Sequence, residues 1–178
     1  MPGRDNARSK HPDGARGDPS LPDMTYFEDR GSVYDAPIEV LWDFMEKDEE
    51  FHPKAHTAGL RNFEAKDISE VTRLVRCEVR GGIGQWRKMV ARITSIRPAV
   101  RINEELEGPY AGSKTVYLYS PRGRKTAVDV LFYMRSSELT PEEIRRDRLT
   151  THARSYTEDV PYLRRFVRKH SALRTPPS

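Results

Sequence analysis

The chain has 178 residues, of which 36% are hydrophobic and 33% charged, and its formal net charge is +4. That length fits one domain plus a tail. Acidic and basic residues are interleaved as on a solvated surface, which excludes the concentrated basic patch of a nucleic-acid binder, and the single cysteine, Cys77, excludes an internal disulfide.

Residues 1–22 hold three glycines, four prolines and offsetting charges with almost nothing apolar to bury, so a disordered tail is expected there. No apolar secretory segment opens the chain and no apolar run approaches the ~20 residues that span a bilayer, so a cytoplasmic location is expected. One domain is expected over 23–172, with a frayed end at 173–178.

Residues 25–35 alternate aromatic and polar side chains and read as a first strand. Pro37 follows at a position where a helix can start without losing a hydrogen bond. Val40, Leu41, Phe44 and Met45 recur at helical spacing behind it and make one apolar stripe. Pro53 and Gly59 leave room for one further helical turn.

From 60 to 136 the period changes to two. Val71, Val75, Cys77 and Val79 alternate with Arg76, Glu78 and Arg80, and Gly81-Gly82-Ile83-Gly84 reads as a hairpin connection. Met89, Ala91 and Ile93 mark the next strand, which Pro98 ends. Ile102, Glu104 and Leu106 then alternate with Arg101, Asn103 and Glu105. A tyrosine-rich strand over 115–120, a turn at Pro121-Arg122-Gly123 and the apolar strand 126–135 complete about six consecutive strands that pair antiparallel as neighbours.

Thr140-Pro141-Glu142-Glu143 is a capping box with proline in the first turn. The helix it opens is expected to run to about residue 171, with Leu149, Ala153, Tyr156, Val160, Leu163 and Val167 as its apolar stripe. Pro161 is expected to kink or interrupt it. Arg164, Arg165, Arg168 and Lys169 complement the dipole at its end.

The stretch Val33-x-Asp35-Ala36-Pro37-Ile38-Glu39-x-Leu41-Trp42, with the Glu107-Gly108 and Pro121-x-Gly123-x-x-Thr126 turns, resembles the START-like, helix-grip superfamily. That superfamily includes birch-pollen-allergen-like proteins, polyketide cyclases and dehydrases, and lipid- and quinone-transfer proteins. The resemblance covers about residues 25–171. It implies an α+β fold in which a curved antiparallel sheet of about seven strands grips a long C-terminal helix, with two short helices after the first strand. It also implies an apolar ligand held between sheet and helix. Arg73, Arg87, Arg92, Glu104 and Asp129 depart from the commoner members. If several of them point inward, the cavity is small or polar.

With an even-numbered loop, the last hairpin places Thr115, Tyr117, Tyr119, Val128, Val130 and Phe132 on one face, because cross-strand partners share a face. Tyr117, Tyr119, Val130 and Phe132 are therefore candidate ligand contacts, together with Trp86 and Met89. His152 and Tyr156 lie four apart on the long helix and so share a face. They are the candidate acid–base pair and further ligand contacts.

Other chemistry is declined. His52 and His56, with Glu49 before them, have a metal-like spacing, but Pro53 disfavours a continuous helix between them. Rieske oxygenase catalytic domains share the general fold but need a cysteine-bearing iron–sulfur domain. The two histidines are therefore expected at the surface or cavity mouth, and no metal or other cofactor is expected. The glycine turn lacks the Lys-Ser/Thr of a phosphate loop, Cys77 sits among valines as inert packing, and no Gly-x-Ser-x-Gly elbow occurs. Glu104 and Asp129 would form an acid–base pair only if both faced inward.

The expected role is binding, as carrier or sensor, of a small hydrophobic or amphipathic molecule such as a lipid or quinone. A polyketide cyclase- or dehydrase-like enzyme and a chaperone making transient contact with a membrane surface are the alternatives.

Overall fold

The computed structural model describes residues 24–47, 50–80 and 86–173. The tail expected over 1–22, Glu49, the glycine turn at 81–84 and the end from 174 lie outside the described residues. Strand β1 (Thr25–Tyr34) leads to helices α1 (Ile38–Lys47) and α2 (His52–Ala55). Strands β2 (Leu60–Asp67), β3 (Thr72–Arg80), β4 (Trp86–Ile96), β5 (Val100–Glu107), β6 (Lys114–Arg122) and β7 (Lys125–Met134) follow, and helix α3 (Pro141–Leu173) ends the fold. The seven strands form one antiparallel sheet in the order β1-β7-β6-β5-β4-β3-β2.

Local chemistry accounts for the elements. The Pro37 carbonyl accepts from the amides of Val40 (3.0 Å) and Leu41 (2.9 Å), so the proline stands at the helix start where its missing N–H costs nothing. The Thr140 amide donates to the Glu143 carboxylate at 2.9 Å and the Glu143 amide donates to Thr140 Oγ1 at 3.3 Å, closing the capping box reciprocally. Gly123, at φ 63°, takes the first position of the two-residue β6–β7 loop, where the matching turn needs a positive φ.

The apolar core gathers where α1, β1, β6, β7 and the two ends of α3 meet. Leu41, Phe44, Val130, Phe132 and Met134 lie at its centre, Ile144 closes it from the start of α3, and Leu163 and Phe166 close it from the far end. Phe27 stacks on Phe132 with ring centroids 4.7 Å apart, and Trp42 meets Tyr119 edge-on at 5.5 Å. The buried Thr126 hydroxyl donates to the Ala36 carbonyl at 2.8 Å and ties β7 to the entry of α1.

Three expectations are corrected. Of the kink or interruption expected at Pro161, the interruption is absent: helix α3 continues through Pro161, which is exposed. The apolar stripe of α3 is not continuous: Ala153 is exposed, and the buried positions are Ile144, Asp159, Leu163 and Phe166. The middle turns of the helix span a hollow and not a core. Val71 lies outside β3 and is 49% exposed.

Candidate ligand-binding cavity

Beneath the middle of α3, the concave side of the sheet and α2 bound a cavity of about 1040 Å³. Residues 147, 148, 151, 152, 155, 158 and 159 recur at helical spacing, and all seven line it. They are Asp147, Arg148, Thr151, His152, Ser155, Glu158 and Asp159, so the cavity side of α3 is polar. The facing strands supply a mixed wall. Val75, Met89, Ile93, Tyr117, Val128 and Phe132 bring apolar surface, whereas β5 turns Arg101, Asn103 and Glu105 inward. Ile102 and Leu106 occupy the other face of that strand, and Leu106 is 47% exposed.

The inward charges are paired, as buried charges must be. Arg148 donates to the Glu105 carboxylate across the cavity, and Glu105 is 6% exposed. Burial raises the Glu105 carboxyl above its ordinary value, with Arg148 opposing the rise. The Arg148 guanidinium also covers the Tyr110 ring at 4.7 Å, and the Tyr110 hydroxyl donates to Asp147 at 2.6 Å. Further along β5, Arg101 binds Glu46 at 3.1 Å and Asn103 Oδ1 at 3.1 Å. Burial raises the phenols of Tyr117 and Tyr119, which keeps both rings neutral at physiological pH.

Two histidine groups reach the cavity. His152, on α3, holds Asp29 of β1 through Nδ1 at 2.7 Å, and its ring lies 6.2 Å from each of the Tyr117 and Phe132 rings. At the α2 end, His56 holds Glu158 through Nδ1 at 3.1 Å and lies 3.0 Å from Asp159 through Nε2. Burial pulls the His56 imidazole down, but the adjoining Asp159 and Glu158 carboxylates outweigh it and raise the value. Tyr34 donates to Asp159 Oδ2 at 3.2 Å.

The structure sorts the sequence candidates. Met89, Tyr117, Tyr119, Phe132, His152, His52 and His56 line the cavity. Val130 lies behind the wall in the core, fully buried. Trp86 is turned away from the cavity, with the Arg61 guanidinium 4.3 Å over its ring. Tyr156 is separated from His152, because its hydroxyl donates to the Val33 carbonyl at 2.7 Å and its ring packs on Tyr34. Of the strand charges, Arg73 and Arg87 face the cavity. Arg92 and Glu104 pair with each other outside it, and Asp129 accepts from the Gly31 amide at 3.3 Å. Cys77 is buried in β3, with its thiol pushed up to about 11 by burial and by Glu105. Sequence reasoning missed Glu105, Arg101, Arg148 and Asp159. For Arg148 and Asp159 the available signal was the run of polar residues at helical spacing from Asp147 to Asp159; Arg101 and Glu105 on β5 carried none.

No protein-family model and no curated relative matches the chain. Solved structures do. A START superfamily protein from Mycobacterium smegmatis superposes with a TM-score of 0.65 at 11% identity, covering 79% of this chain and 97% of that one. The Zhui aromatase/cyclase from Streptomyces sp. R1128 superposes with a TM-score of 0.60 at 16% identity, covering 85% of this chain and 97% of that one. The chain has a START-like helix-grip fold. At these identities the likeness carries the fold alone. It extends to the di-domain ARO/CYC protein BexL from the BE-7585A biosynthetic pathway, with a TM-score of 0.61 at 10% identity over 79% of this chain. The chain spans about half of that protein, 50%. The helix-grip architecture supplies the hollow between sheet and α3, and this chain's own residues give the hollow its charged lining. Among the described residues no helix is long and apolar enough to cross a membrane.

Proposed function

We propose that the chain binds a small amphipathic molecule, an aromatic or polycyclic body bearing oxygen substituents, in the cavity under α3. The observation that carries this is the lining. Aromatic and aliphatic side chains of β3, β4, β6 and β7 face a hollow of about 1040 Å³ that also presents Arg101, Arg148 and His152. Apolar burial would contribute about 25 cal/mol per Å², and the few oriented polar groups fix the pose. A quinone or polyketide-like ring system suits this wall better than a saturated acyl chain, because an acyl chain would strip water from the arginines and return no hydrogen bonds. Carriage of such a guest to a membrane surface is a further part of this reading, and the exposed Arg164 and Arg168 near the end of α3 suit it.

Two measurements test the proposal. Native mass spectrometry of freshly purified protein should show a retained small molecule that denaturation removes. After stripping, the protein should bind anilinonaphthalene sulfonate saturably, and Ser155→Trp, which places an indole in the hollow, should abolish that binding with the circular dichroism unchanged. An unaltered affinity in the folded variant refutes the site.

A second reading is an enzyme of the cyclase or dehydrase kind. What supports it is His152, whose side chain is 9% exposed and whose Nδ1 is held by Asp29. A carboxylate there sets the tautomer and leaves the other ring nitrogen for proton transfer. Under this reading His152→Ala keeps guest binding and loses turnover of a poly-β-ketone thioester.

A further inference from the structure

We propose that His52, His56 and Asp159 form a site for one divalent first-row metal ion, zinc or iron(II), at the α2 end of the cavity. The three residues come from two elements far apart in the chain, and one ligating atom of each lies within 4.8 Å of the others. His56 Nε2 and Asp159 Oδ1 are 3.0 Å apart, and His52 Nε2 and the same oxygen are 3.9 Å apart. Atoms about 2.1 Å from a common ion sit roughly 3.0 Å apart at a right angle and about 3.4 Å apart at a tetrahedral one. The first pair already has that separation, and the second reaches it by a small side-chain rotation.

The hydrogen bonding points the same way. Asp159 is 3% exposed, and its Oδ1 accepts no hydrogen bond among the described residues although His56 Nε2 is 3.0 Å away. The two atoms are thus close without forming a hydrogen bond. That is the arrangement expected of two donors that share a third point. Tyr34 holds the other oxygen, Oδ2, at 3.2 Å, which turns Oδ1 toward the histidines. Glu158 takes His56 Nδ1 at 3.1 Å. A carboxylate on the far ring nitrogen is the usual outer partner of a metal-bound imidazole, because it fixes Nε2 as the nitrogen that carries the lone pair. Adjacent acids on α3 thus divide the work, one binding the ion and one orienting its ligand.

Local structure explains how the histidines meet. The expectation that Pro53 would break a helix here is corrected: it is the second residue of α2, in the first turn, where its missing N–H costs no helical hydrogen bond. His52 and His56 then close one turn, with ring centroids 5.2 Å apart. The Phe44 ring lies 5.1 Å from His52 and gives the site an apolar flank. Two imidazoles and one carboxylate are a borderline-soft set suited to zinc or iron(II) and poorly suited to magnesium or calcium. Three protein ligands leave coordination positions open, and all three residues line the cavity.

The test is metal titration of the full chain after chelator treatment, with Zn²⁺ followed by calorimetry and Co²⁺ followed by its visible absorption. One equivalent should bind with a Kd in the micromolar range or tighter. His56→Ala and Asp159→Asn should each weaken binding by at least ~100-fold and change the Co²⁺ bands. Glu158→Gln, at a part-exposed position that does not touch the ion, should weaken it by about 10–100-fold. Absence of saturable binding, or a Kd unaltered in the folded His52→Ala/His56→Ala double variant, overturns the site. Should Asp159→Asn fail to fold, Glu158→Gln decides, and an unaltered Kd there refutes the proposed orientation of His56.

Discussion

Removing Arg148 while leaving Glu105 in place isolates a buried carboxylate, and the cost follows from the geometry. Glu105 is 6% exposed and Arg148 is its ion-pair partner, with the arginine side chain 20% exposed. Breaking a buried pair from one side costs about 3–5 kcal/mol. The partial exposure of Arg148 and the aliphatic replacement in Arg148→Met place the effect near the lower end, ~3 kcal/mol. For a chain of this size that lowers Tm by roughly 6–12 °C. The pH dependence has a definite sign. Burial already holds the Glu105 carboxyl above its ordinary value, with Arg148 opposing, so loss of Arg148 raises it further. A carboxyl raised in the folded state keeps its proton more tightly there than in the unfolded chain. The variant is therefore close to wild type near pH 4, and its deficit grows as pH climbs through the raised value, then levels off. Thermal melts by circular dichroism at pH 4, 5, 6 and 7 measure this. Adding Glu105→Gln to Arg148→Met should recover most of the loss at pH 7. A deficit that is the same at pH 4 and pH 7, or a double variant no better than the single, refutes the buried-charge account.

Cys77, with its thiol raised to about 11 by burial and the nearby Glu105, should resist iodoacetamide at pH 8 in the folded protein and react at once in urea; rapid native alkylation would contradict its placement. Thr140→Ala deletes the hydroxyl that receives the Glu143 amide and should cost about 1 kcal/mol in urea melts, whereas Thr140→Ser should cost much less. Gly108 has φ 120°, and a Cβ there would lie 2.9 Å from the Lys88 carbonyl oxygen. Gly108→Ala should therefore destabilise by roughly 1–3 kcal/mol, and a Tm equal to wild type would show that β4 and β5 part more easily than their close approach implies.

Much of the fold was legible because its signals are local. The Thr140–Glu143 box, the Pro37 start and the period-two run from Leu60 each depend on neighbours within a few residues. The face assignment of the last hairpin also stands, though by parity alone. A turn at Pro121-Arg122-Gly123 would leave Tyr119 opposite Thr126, whereas the strands continue to Arg122 and Lys125, so that Tyr119 opposes Val128. The register moves by two and every side chain keeps its face. The interior was harder to read. In β5 the alternation separates Arg101, Asn103 and Glu105 from Ile102, Glu104 and Leu106, but a period of two cannot say which set turns inward. The decision rests with Arg148, forty-three positions beyond Glu105. Likewise His56 meets Asp159 only because α3 crosses back over α2, and nothing near either residue announces the other.

The apolar core and the hollow meet at a shared wall: Phe44, Val130 and Met134 lie wholly in the core, Phe132, Tyr119 and Val128 belong to both, and the polar side chains Arg73, Thr151 and Ser155 belong to the hollow alone. Substitutions at Arg73, Thr151 or Ser155 thus bear on which guest is admitted more than on whether the chain folds. Lining positions outside the Arg148–Glu105 pair and the shared wall are free to vary in shape and charge while the packing that holds the fold together stays as it is.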